Sequence, residues 1–284
     1  MAVVGKIKFQ TSLLSFLLLF SIQGKTTECA LHLQLLTSLT SGGAVIIDGK
    51  MVKTSNKFGT SIIQTDPYVE NFLETAQAVG EVLEIGAGHG FTTTRVLEQG
   101  QAKITVNDLS LDNLGSLRAI LAETSDEIKN RVRWQEGRFP NAFVSYSDSS
   151  FDAILMARVL HFFRPDEFSL VLREVHRLLR SGGSVTVTAL SPENSHFKGF
   201  YKNYLKNILN QNPWPGSNVR VEDYRPNAPL PEYIHLLDPH VLVREFLAAG
   251  FRIEKAGYID RSGQYPADVL LGKREGVGIK AMKR

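Results

Sequence analysis

The stretch Glu81-Val-Leu-Glu-Ile-Gly-Ala-Gly-His-Gly90 passes from an apolar run into three glycines, and a helical pattern begins at Phe91. Val82 to Ile85 reads as a buried strand, so the order is strand, glycine turn, helix. Such a turn suits a cofactor. Glycines admit backbone angles and close approaches that a side chain forbids, and a helix start presents N–H groups without intrahelical partners. Spacing then separates the cofactors. A dinucleotide fingerprint, G-x-G-x-x-G, needs glycine at position 91, where this chain has phenylalanine; the third glycine comes one residue early, as Gly90.

Outward from the turn, strands and helices alternate. Asp66-Pro67 opens a helix before it, with aspartate as cap and proline at the first helical position, and Tyr68, Val69, Phe72, Leu73 and Ala76 on one face. After it come a helix to Gln99, a strand from Ala102 to Val106 ending in Asn107-Asp108, a helix over Leu111 to Leu121, and a strand at Val132 to Gln135. Phe151 to Met156 is a further strand. Asp166 to Arg180 is an amphipathic helix stopped by Ser181-Gly182-Gly183, and Ser184 to Ala189 is the fifth strand. Asp238-Pro239 starts another helix, and Phe251 to Ile259 and Gly276 to Met282 are the last two strands. The fold class is α/β: a doubly wound, seven-stranded, mostly parallel sheet with helices on both faces. Residues 31 to 63 read as short strands or loops. Between Leu190 and Pro239 the alternation lapses into an aromatic stretch with five prolines from Pro213 to Pro231 and a short helix at His196 to Leu209. That stretch reads as an insertion after the fifth strand that caps a substrate. The expected division is 1–55 as leader and extension and 56–284 as the catalytic domain, with 190–239 as its cap.

The motif Glu84-x-Gly86-x-Gly88-x-Gly90, followed eighteen residues later by Asp108 at the end of the next strand, resembles the class I S-adenosylmethionine (SAM)-dependent methyltransferases. The resemblance covers roughly residues 60 to 190 and implies SAM as cofactor. It assigns Gly86, Ala87, Gly88 and Gly90 to the turn and Asp108 to the ribose hydroxyls, where a carboxylate can accept two hydrogen bonds; a helix cap is the plainer role. Glu84 would face the methionine end or hold a nearby amide. Leu109 would pack on adenine or ribose, or simply in the core. The family often shows Gly-Asp after the third strand; here Glu136-Gly-Arg-Phe139 puts Arg138 in the acidic position. The adenine contact is then left to a backbone carbonyl or Glu136, with Arg138 and Phe139 flanking the base. Ala157 and Arg158, off the end of the fourth strand, would lie beside the transferring methyl group.

Methyl transfer needs alignment and exclusion of water, with a base only for a hydroxyl or protonated amine. His161, Tyr201 and His235 are the candidate catalytic residues, each with packing as the alternative. The expected reaction is methylation of a small molecule by in-line displacement. A non-catalytic SAM-binding regulatory protein and an NAD-type oxidoreductase are the other readings. The 284 residues carry 32 basic and 29 acidic side chains without a clustered basic face, so no nucleic-acid partner is expected. A single cysteine, Cys29, rules out internal disulfides and multi-cysteine metal sites. Near the start, Lys6 and Lys8 precede an apolar run from Leu13 to Ile22, signal-like in its flanks and shorter than a membrane span of about 20 residues. A cytoplasmic enzyme is the primary expectation, targeting or membrane association through residues 6–24 the alternative. Met51 is an in-frame alternative start.

Overall fold

The computed structural model describes residues 30–284 apart from 55, 57 and 110. The apolar run at 13–22 and Cys29 lie outside the described residues. Ahead of the glycine turn the chain builds helix α1 (Ala30–Ser41), a small antiparallel sheet of β1 (Ile46–Ile47), β2 (Met51–Lys53) and β3 (Thr60–Ile62), and helix α2 (Pro67–Ala78). The reading of 31–63 as strands or loops is therefore corrected for α1. Leu31, Leu35 and Leu39 recur every four residues, one helical face, and all three are buried, while His32, Gln34, Thr37 and Ser38 between them obscure the period. In α2 the expected cap is present: Asp66 Oδ1 accepts from the Tyr68 and Val69 amides at 2.9 and 3.0 Å.

The main sheet starts with β4 (Glu81–Ile85), which runs through the glycine turn into α3 (Phe91–Gln99). β5 (Lys103–Asp108), α4 (Gly115–Ala122), the short α5 (Asp126–Lys129), β6 (Val132–Glu136) and β7 (Phe151–Ala157) follow. Then come α6 (Phe168–Leu178), β8 (Leu179–Leu190), α7 (Lys198–Leu209), the two-residue strands β9 (Val219–Arg220) and β10 (Tyr233–Ile234), α8 (Pro239–Ala248), β11 (Phe251–Ile259) and β12 (Gly276–Lys283). The seven-stranded order is β11-β12-β8-β7-β4-β5-β6, with β12 antiparallel to both neighbours and the other pairs parallel.

One boundary moves. α6 ends at Leu178 rather than Arg180, and Ser181-Gly182-Gly183, expected to stop a helix, lies within β8. Leu179 already pairs with Phe151, Gly182 takes φ +76° where the register shifts, and Arg180 meets Asp152 at 2.7 Å. Strand pairing and that ion pair capture residues whose local pattern is helical.

Period-two alternation divides the core. Leu83 and Ile85 face one side with Ile154, Met156, Val185 and Val187, under α6 and α8. Val82 faces the other with Ile104, Val106, Ala153 and Leu155, under α1, α2, α3 and α4. The segment 190–239 has an apolar centre of its own: Phe197, Phe200, Tyr204, Val219, Val221, Ile234 and Leu236 are buried together. Parallel strand order reverses between β4 and β7, and ligands of open α/β sheets bind at the carboxyl ends of the strands beside such a reversal.

Candidate functional site

Register brings the ends of four strands to one edge. Ile85 pairs with Asn107, Asp108 with Glu136, and Ala157 with Thr188, so the turn after β4, Asp108, Gly137 and Arg158 all emerge together. Gly86, Gly88 and Gly90 adopt φ of +70°, +58° and +82°, the left-handed region that favours glycine. A Cβ at Gly86 would collide with the Val159 side chain and one at Gly88 with the Ser61 hydroxyl, so these two positions are close-packed as well as left-handed.

The turn forms the floor of a cleft with about 810 Å³ of atom-free space, its open mouth included. Gly86, Ala87, Gly88, Asp108, Leu109, Arg138, Phe139 and Ala157 line it. Asp108 is buried and receives the Gly88 amide on Oδ2 at 2.8 Å and the Asn113 amide group on Oδ1 at 3.2 Å. Arg138 does not leave its charge free toward the cleft: it pairs with Glu167 at 2.7 Å and lies over the Phe163 ring at 5.1 Å. Asn107, buried beneath, donates to the Gln135 and Gly137 carbonyls at 2.8 and 3.0 Å and so fixes the loop carrying Arg138.

Two expected cofactor residues stand behind the cleft instead of in its lining. Gly90 opens α3, where a Cβ would strike Leu117. Glu84 points away from the cleft into the α3 side, because strand alternation sets it on the face of Val82; it is 3% exposed and accepts from Thr93 Oγ1 at 2.6 Å. Burial pushes its carboxyl up to about 7, against hydrogen bonds from Thr93 and Thr92 and the nearby Arg158.

A second chamber, with about 1210 Å³ of atom-free space counted with its mouth, adjoins the first. The 190–239 segment supplies Asn194, Phe197, Arg225 and Leu230, the small sheet supplies Met51, and the β11–β12 connection supplies Tyr265. Phe58, Thr60, Arg158 and Phe162 line both cavities. Of the expected catalytic residues, only His161 reaches this chamber. It is buried, its Nδ1 lacks a partner among the described residues, and burial, reinforced by Arg158, His235 and Arg261, lowers its pKa to about 3. A neutral imidazole there can hydrogen-bond a ligand but is a weak base. The structure corrects the other two. Tyr201 stacks near Tyr204 in the apolar centre of the segment, 5.8 Å between centroids, and lines neither cavity. His235 is 2% exposed, takes the Asn218 amide on Nδ1 at 3.4 Å, and lines neither cavity. Tyr201 follows apolar packing, and His235 is held among the backbone of its own segment and the charges of Arg164, Asp166 and Glu167.

Sequence reasoning missed the roof. Asn56 reaches over to Asp108 Oδ1 at 3.4 Å, and Phe58, Thr60 and Ser61 line the cleft beside it. No local pattern marks them, since the contact spans some fifty residues of chain.

Residues 82–183 match the family model of a methyltransferase domain. The fold is that of the class I SAM-dependent methyltransferases. Over 129 residues it is 31% identical to a demethylmenaquinone methyltransferase of Tropheryma whipplei, an alignment that covers 45% of this chain and 49% of that protein. The chain thus spans about half the length of the curated relatives it matches. In fold it is similar to a SAM-dependent methyltransferase from Methanosarcina mazei, with TM-score 0.54, 22% identity and 78% and 98% of the two chains covered. It is also similar to a Burkholderia thailandensis 1,6-didemethyltoxoflavin N1-methyltransferase, solved with its substrate and S-adenosylhomocysteine (SAH), at TM-score 0.53 and 21% identity over 89% and 87%. The methyltransferase sheet, with its antiparallel seventh strand, is the sheet described above.

Proposed function

We propose that this protein is a methyltransferase that moves the methyl group of SAM to a small molecule held under the 190–239 segment. One observation carries the reading: the cleft over the glycine turn and the second chamber share the wall of Phe58, Thr60, Arg158 and Phe162. A regulatory protein that only senses SAM has no use for a second cavity abutting the first. A transferase needs two ligands to meet there.

The residues fit the cofactor. The close-packed Gly86–Gly88 turn offers backbone where a Cβ cannot stand, and Asp108 offers a carboxylate at the ribose end. When bound, SAM supplies a methyl group already activated as a sulfonium, so the chain's work is to align, to exclude water and to orient the acceptor. The roof of Asn56, Phe58, Thr60 and Ser61 excludes water together with Phe162, and His161, neutral and with an Nδ1 unpartnered among the described residues, orients the acceptor by a hydrogen bond. The acceptor's class is a small molecule, in line with the didemethyltoxoflavin and demethylmenaquinone for which the two similar methyltransferases are named. SAM being made inside cells, the domain is proposed to act in the cytoplasm; among the described residues no helix is long and apolar enough to cross a membrane.

Isothermal titration with SAH and with NAD tests the cofactor. SAH is expected to bind at micromolar level and NAD not at all, and Asp108→Ala should weaken SAH at least about tenfold, the worth of a charge-assisted hydrogen bond. Failure of the wild type to bind SAH would sink the assignment.

A further inference from the structure

Two guanidinium groups face the second chamber without a committed counter-ion, and no carboxylate lines it among the described residues. Arg158 follows β7 at φ +58°, a conformation that a non-glycine residue adopts at some cost and that clusters at functional sites. Its amide is held by the Thr188 carbonyl at 2.8 Å, yet its side chain makes no ion pair among the described residues and its Nε is buried without an acceptor. The acids around it are engaged elsewhere. Asp66 pairs with Arg261 at 2.6 Å and caps α2, and Glu84 is held by Thr93. Arg225, from the 190–239 segment, is half-buried and forms no ion pair among the described residues; its acidic neighbour Asp268 lies outside the chamber, is mostly exposed and is 3.8 Å from His196. Tyr265 is an electrostatic neighbour of both arginines and lines the same chamber.

Cations kept half out of water with nothing to pair with are costly unless a ligand completes them. Phe58, Phe162, Phe197 and Leu230 give the wall an apolar part, beside polar Asn194, Asn227 and His196 and a further cation, Lys53. Presuming the methyltransferase reading, we infer that the methyl acceptor is a small organic acid whose carboxylate is bound by Arg158 and Arg225 while its apolar body packs on Phe162, Phe197 and Leu230. A guanidinium presents the planar fork that a carboxylate matches. A phosphate monoester fits less well, because backbone amides that could serve a third oxygen are engaged: those of Gly59, Ala228 and Leu230 donate to the Pro229, Arg225 and Ala228 carbonyls at 2.6, 3.1 and 2.8 Å.

The test uses the full chain with SAH bound. Titration compares 1-naphthoate and trans-cinnamate with their neutral amides and with 1-naphthyl phosphate, on the wild type and on Arg225→Gln and Arg158→Gln. The acids are expected to bind at least about tenfold tighter than the amides, as for hydrogen bonds to a charged group. Each substitution should remove that preference, and Arg225→Gln should leave SAH affinity unchanged because it does not line the cofactor cleft. In parallel, a metabolite extract is split on an anion exchanger at pH 7 and incubated with tritiated SAM; label is expected in products of the retained fraction. Acids that bind no better than amides, a preference that survives both substitutions, tighter binding of the phosphate, or acceptor activity confined to the unretained fraction would each overturn the inference. Failure to bind SAH would instead strike the cofactor reading itself.

Discussion

At the scale of single residues, two buried acids behave in opposite ways, and each makes a prediction. Burial alone would raise the Asp66 carboxyl, but Arg261, the Val69 amide and Arg158 outweigh it and hold it below the usual aspartate range. Stability from such a group is fully present above the unfolded value and is lost as pH falls through the lower folded one. Arg261, fully buried, pairs with it at 2.6 Å. Arg261→Met should cost about 3–5 kcal/mol at pH 7, since it leaves a buried charge alone. Urea unfolding at pH 4.5 should show a smaller gap, because an unpaired carboxyl can take up a proton. Glu84 runs the other way. With a folded value of about 7 set by burial, it lowers stability progressively as pH rises from the unfolded value toward 7. Glu84→Gln should therefore stabilise by roughly 2 kcal/mol at pH 8 and by little at pH 4.5. A variant equally or less stable at pH 8 would show that the carboxylate is better compensated than its burial suggests. Glu84 also shows why a motif position does not fix a role: its spacing marks the turn, while strand alternation turns its side chain away from the cleft.

At the scale of elements, local pattern and tertiary contact compete. The α3 and α8 boundaries were legible because glycine and Asp-Pro punctuate them. The end of α6 was not, because pairing with β7 extends β8 through two glycines. α1 was missed because its polar residues hide a leucine stripe that only packing against α3 and α4 makes meaningful. Leu35 has no exposed surface, and Leu35→Ala should cost about 3 kcal/mol by urea unfolding, the usual range for truncating a buried leucine. An effect below about 1 kcal/mol, typical of surface substitutions, would mean that α1 is not part of the cooperative core.

At the scale of the molecule, the small sheet ties residues before the glycine turn to both ligand cavities, and α1 packs into the core beside it. Met51 lies in β2, and a chain begun there would lack Leu31, Leu35 and Leu39 from the core. Such a chain should unfold at lower urea and bind SAH more weakly than one begun at Ala30; equal behaviour would show that the early segment is dispensable. The sequence by itself determined the sheet, its cofactor turn and Asp108, since period-two and helical patterning, glycine spacing and the strand-end carboxylate are local signals. Only the tertiary structure decided which aromatic and basic residues meet. It kept Tyr201 and His235 out of both cavities, brought Asn56 onto Asp108, and set Arg158 and Arg225 in one chamber. Those contacts join segments far apart in the chain, and no spacing rule reaches across a fold.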